Sequence, residues 1–111
     1  MSPTTAPLED LRLADIVGRL VDAYQPERIY LFGSRAREDA RPDSDYDVLV
    51  LLAESNEPSY VRARKGYHAL FGSGASVDLL VWTQDEFDYW LPAAASLPAT
   101  VRREGRLLYA A

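Results

Sequence analysis

Apolar residues return along this chain with a helical period in some stretches and an extended one in others, and the switches mark its elements. Leu8, Leu11, Ile16, Val17, Leu20, Val21 and Tyr24 recur at helical spacing, which predicts an amphipathic helix stopped by Pro26. Arg28 to Phe32 is short, apolar and aromatic and runs into Gly33, a strand ending at a turn. Ser34 to Arg41 reads as a short exposed helix bearing arginines and closed by Pro42. Asp45 to Ala53 is the strongest strand. It is apolar on both faces after Asp47, as expected for a central strand covered from both sides.

After a loop at Glu54 to Pro58, Tyr60, Ala63, Tyr67, Leu70 and Phe71 mark one face of a second long helix. Arg62, Arg64 and Lys65 lie off that face, and Gly72 to Gly74 ends the helix. Val77 to Trp82 is a third strand. Thr83-Gln84-Asp85-Glu86 forms a capping box that opens a short helix through Trp90, broken by Pro92. A further helix runs from about Pro98 to Glu104, stops at Gly105, and is followed by a short strand, Arg106 to Tyr109. This order predicts an α/β (α+β) sheet with flanking helices. Residues 1–7 read as a flexible tail and residues 8–111 as a single domain.

Composition narrows the function classes. At 111 residues there is room for one domain only, and 48% apolar residues supply a modest core. The net charge of −5 argues against direct nucleic-acid binding, which clusters Lys and Arg against phosphates. Eleven of the 12 basic residues are Arg, a bias that suits phosphate pairing but also follows from GC-rich coding. Without cysteine, disulfides and thiolate metal sites are excluded. No apolar run reaches the ~20 residues of a membrane helix, and Met1 to Pro7 lacks the regions of a signal peptide. The expected location is cytoplasmic, with no membrane contact.

Two features carry candidate chemistry. Asp45 and Asp47 alternate at a strand start, so both project from one face roughly 6–7 Å apart. Such carboxylates repel each other, and a pair of Mg²⁺ ions shared with substrate phosphates would resolve the repulsion. The plainer reading is an acidic turn, Pro42-Asp43-Ser44-Asp45, overlapping the strand. Gly33-Ser34 follows a strand and opens a helix, where backbone N–H groups bind phosphate and glycine allows close approach. Taken alone it is a helix cap. Ten residues separate Ser34 from Asp45, giving the joint pattern G-S-x10-D-x-D.

That pattern, Gly33-Ser34-Arg35-Ala36-Arg37 followed by Ser44-Asp45-Tyr46-Asp47-Val48-Leu49-Val50, resembles the signature of the DNA polymerase β-like nucleotidyltransferase superfamily. It most resembles the minimal nucleotidyltransferases, or MNT proteins. Phe71-Gly72 through Val77-Asp78-Leu79-Leu80 is similar to the segment carrying that family's third carboxylate, and Glu104 to Tyr109 to its usual ending. The resemblance implies a mixed central sheet, catalytic magnesium ions on Asp45, Asp47 and Asp78, and a triphosphate held by Gly33 and Ser34. Arg35 is a further candidate for steadying the triphosphate, with an exposed structural role as its alternative. Asp78 also interrupts an apolar strand, where a carboxylate is costly unless it is ligated, at an edge, or paired with an arginine such as Arg35. One departure is Glu38, where the family usually has Gly. It lies outside the metal pattern and affects how the following loop packs.

The implied reaction moves a nucleoside monophosphate, AMP from ATP, to a hydroxyl with two Mg²⁺ ions. Members of the family resemble antitoxins paired with helical HEPN toxins, some modified on a tyrosine, which makes a HEPN-domain toxin the expected partner. Two alternatives stand beside this: a binding module that neutralises a partner by contact, and a stand-alone transferase acting on a small molecule. His68, Trp82, Trp90, Tyr60 and Tyr67 read as structural or interface residues.

Overall fold

The computed structural model describes residues 4–5 and 10–111. Helix α1, Leu11–Tyr24, begins where Asp10 caps it, its carboxylate accepting from the N–H groups of Arg12 (2.9 Å) and Leu13 (3.1 Å). Leu8 lies outside the described residues. The helix buries Leu13, Ile16, Val17 and Leu20 and ends at Gln25, whose left-handed backbone (φ 47°) returns its N–H to Val21.

Strands β2 (Arg28–Phe32), β3 (Tyr46–Leu52), β4 (Val77–Thr83) and β5 (Arg106–Ala110) form a mixed sheet with a two-residue strand β1, Thr4–Thr5. The order is β1-β5-β2-β3-β4, antiparallel except for the β3–β4 pair. Two residues of the expected tail thus pair with the end of β5, while the rest of that tail lies outside the described residues. The parallel pair requires a crossover, supplied by helix α3, Ser59–Leu70. Helices α1 and α3 cover one face over Ile29, Val48, Val50, Leu79 and Val81. Helices α4 (Gln84–Trp90) and α5 (Leu97–Glu104) cover the other over Leu49 and Leu51. Val48 through Leu51 are fully buried, the two-sided burial expected of this strand.

Three expectations change. The helix after Gly33 is a single turn, α2, Gly33–Ala36, rather than a helix reaching Arg41. The central strand begins at Tyr46, one residue after Asp45. The third concerns α3, whose expected face turns inward only at Ala63 and Leu70. It buries Arg62, Gly66 and Leu70, while Tyr60, Tyr67 and Phe71 are exposed.

Two local contacts explain the turn of α3. A β-carbon on Gly66 would lie 2.3 Å from Leu79 Cδ2 and 2.7 Å from the Tyr24 hydroxyl, so the missing side chain is what lets α3 approach the sheet and α1. Arg62 is buried because every direction of its fork is met: it donates to the carbonyls of Glu57 (2.7 Å) and Val81 (3.2 Å) and to the Glu86 carboxylate (2.7 Å). Tyr67 stays near the surface and uses its hydroxyl to accept the Leu79 N–H at 2.9 Å. Backbone groups on the outer edge of β4 are therefore closed by side chains of α3.

Candidate functional site

Strand β2 delivers Gly33 to the end of the sheet in a left-handed conformation, φ 72°. A β-carbon there would stand 2.2 Å from Asp47 Oδ2, so the turn and the carboxylate can be this close only with glycine. Asp47 belongs to β3, opposite Phe32 on one side and Asp78 of β4 on the other. Burial, then the charges of Asp78 and Asp45, push the Asp47 carboxyl above its ordinary value, with Arg37 pulling weakly the other way. The sequence thus converges, at one end of three adjacent strands, on a phosphate-type turn and two neighbouring acids.

Asp45 precedes β3 and is exposed, and so is Asp78. Of the readings open for Asp78, the structure shows the edge position, because β4 is the last strand of the sheet. No salt bridge joins Asp78 to Arg35 among the described residues. Asp45 is held instead by Ser76, whose hydroxyl donates to Asp45 Oδ1 at 2.5 Å. The Tyr46 N–H donates to the Ser76 carbonyl at 2.9 Å. Nothing in the pattern of acids alone marked Ser76. It emerges only from the parallel register of the structure: with Tyr46 opposite Val77 and Asp47 opposite Asp78, Ser76-x-Asp78 lies beside Asp45-x-Asp47.

Arg35, a candidate for the triphosphate, spends most of its fork on the chain itself. It donates to the Ser44 carbonyl through Nε (3.0 Å) and Nη2 (2.7 Å) and to the Pro42 carbonyl (3.2 Å), and its guanidinium lies 4.0 Å over the Tyr46 ring. It clamps the loop that leads into Asp45. Arg37 pairs with Asp39 (3.3 Å) and, more loosely, Glu104 (3.8 Å). Ser34 is half-buried beside Gly33, its carbonyl accepting the Asp39 N–H at 3.0 Å. A cavity of about 240 Å³ lined by Asp10, Arg35, Tyr46 and Arg106 borders this loop, and none of Asp45, Asp47 and Asp78 lines it.

Among the described residues no group of three or more His, Cys, Asp or Glu is gathered closely enough to hold a metal by itself. Mg²⁺ does not need one, since it takes one or two carboxylates and completes its shell with phosphate oxygens and water. The oxygen-only donor set, the crowded Asp47 and the glycine cradle fit that mode. His68 is exposed on α3, away from this arrangement, and Trp82 and Trp90 belong to the β4–α4 region.

Residues 12–103 match the family described as the nucleotidyltransferase domain, and the chain belongs to that family. A crystal structure from Sulfolobus solfataricus, described as a candidate nucleotidyltransferase, is similar at 27% identity and a TM-score of 0.60, over 87% of this chain and 77% of that one. A chain of a toxin–antitoxin crystal structure with AMP-PNP is similar at 24% identity and a TM-score of 0.63, over 88% of this chain and 73% of that one. At that identity the second likeness is one of fold. No curated protein sequence matches the chain.

Proposed function

We propose that this chain is a Mg²⁺-dependent nucleotidyltransferase that moves AMP from ATP to a hydroxyl, a tyrosine on a helical HEPN toxin partner, and so acts as a cytoplasmic antitoxin. The observation that carries the reading is the placement of Asp47, in register with Asp78 and against Gly33. Family membership supports transfer chemistry. The sequence resemblance points to the partner, and the occurrence of the same fold in a toxin–antitoxin structure with AMP-PNP accords with it. Among the described residues no helix is long and apolar enough to cross a membrane.

In this reading Gly33 and Ser34 bind the triphosphate through backbone N–H groups and the serine hydroxyl. Asp45 and Asp47 would hold the divalent ions, whose charge would offset that of the phosphates and of the pyrophosphate that leaves. Asp78, exposed beside Asp47, orients the incoming hydroxyl and accepts its proton.

Exposed aromatic residues favour partner contact in either mode: Phe71, Tyr89 and Trp90 are 88%, 75% and 51% exposed. A contact-only antitoxin is therefore the second reading, and Asp78→Asn separates the two. The variant should keep nucleotide and partner binding, lose transfer, and no longer protect cells from the toxin. Full protection by a folded, transfer-dead variant would establish the contact reading instead.

A further inference from the structure

The two leading carboxylates are fixed by different means. Asp47 has its backbone paired on both sides in the ladder, between Phe32 and Asp78, and its carboxylate lies against Gly33. Asp45 lies one residue before β3 and is exposed, so pairing within the sheet does not set its rotamer. What holds it is Ser76, which accepts the Tyr46 N–H on its carbonyl (2.9 Å) and donates its hydroxyl to Asp45 Oδ1 (2.5 Å).

Strand alternation gives this bond its sense. Ser76 and Asp78 share a face of one chain segment as Asp45 and Asp47 share that of its neighbour, so the four side chains stand as two adjacent pairs. In one pair both members are acids. In the other, a neutral donor replaces the second acid and engages one oxygen of Asp45, leaving Oδ2 to act as a ligand. Ligating carboxylates are commonly oriented by such outer partners, and losing one typically weakens metal affinity about 10- to 100-fold.

We infer that Ser76 is a positioning residue for the metal–nucleotide site, fixing the carboxylate of Asp45 for a divalent cation. The inference rests on the assignment of Asp45 proposed above, and the test separates the two. Mg²⁺ is titrated into the full chain with a non-hydrolysable ATP analogue, and binding is followed by thermal shift and calorimetry.

Ser76→Ala should raise the half-saturating Mg²⁺ concentration about 10- to 100-fold while leaving the metal-free melting temperature unchanged. Ser76→Thr, which keeps the hydroxyl, should restore the wild-type titration to within a few-fold. If Ser76→Ala titrates like wild type while Asp45→Asn does not, Ser76 has no such role. If the alanine variant melts lower without metal and threonine does not rescue Mg²⁺ binding, Ser76 serves the fold and the inference fails. If Asp45→Asn also titrates like wild type, the assignment of Asp45 fails and the inference falls with it.

Discussion

The carboxylate of Asp47 occupies the space that a β-carbon on residue 33 would need, with only 2.2 Å between that position and Asp47 Oδ2. Gly33→Ala therefore meets a clash and a left-handed backbone together, and the φ of 72° alone costs an alanine about 1–2 kcal/mol. The variant should melt several degrees lower and lose the joint stabilisation by ATP and Mg²⁺. A wild-type melt with intact nucleotide binding would show that the turn does not press on the carboxylate.

Asp47 should respond to pH in the metal-free protein. Its folded-state value is raised, so its contribution is most favourable below the ordinary carboxylate value, ~3.9, and is lost as pH rises through the raised value. At neutral pH, without metal, Asp47→Asn should melt at or above the wild-type temperature, and the difference should shrink in acid. Transfer should fall more than about 100-fold, beyond the loss usual for an outer partner. Unfolding of the asparagine variant would mean that the carboxylate is structural.

ATP with Mg²⁺ should stabilise the chain more than either alone, since the acids need the cation before phosphates can approach. Thermal melts with ATP, in the presence and absence of Mg²⁺, measure this. Equal shifts in both would argue against metal-bridged binding.

Much of the candidate site is legible in the sequence because its parts obey short-range rules: a glycine where a strand meets a turn, and two acids two residues apart at a strand start. What was not legible depended on long-range packing. The inward face of α3 is not legible in full, because the aromatic residues Tyr60, Tyr67 and Phe71 outweigh Gly66 in the apolar pattern, while the importance of Gly66 lies in the Leu79 and Tyr24 groups that fill its space. Arg62 looked like a solvated residue and is 7% exposed, since its partners Glu57, Val81 and Glu86 come from three other segments. Glu38 stands where the family usually has glycine. Its φ of 64° gives the physical reason for that glycine.

That strain makes Glu38→Gly a stabilising candidate. Relief of the left-handed backbone contributes about 1 kcal/mol, part of which is offset by the greater freedom of glycine in the unfolded chain. The melting temperature should rise modestly. A fall would show that contacts of the Glu38 side chain outweigh the strain.

Arg62→Ala should be among the costlier substitutions outside the site. It leaves the carbonyls of Glu57 and Val81 without their donor and removes the cation that holds Glu86 below its usual range. Because Glu86 keeps a side-chain exposure of 45%, the loss should be about 2–3 kcal/mol rather than the full value for a buried pair. Arg64→Ala, on the exposed side of α3, should change stability by less than about 0.5 kcal/mol. Equal chemical-denaturation midpoints for the two variants would contradict the burial of Arg62.

Nucleotidyl transfer itself is tested most directly by intact-protein and peptide mass spectrometry of the chain and the proposed helical partner, co-expressed with it, after incubation with ATP and Mg²⁺. The partner should gain the mass of a nucleoside monophosphate on a tyrosine, and the gain should vanish with Asp47→Asn. No such gain on either chain with ATP or GTP, or a gain that survives Asp47→Asn, would contradict transfer at this site.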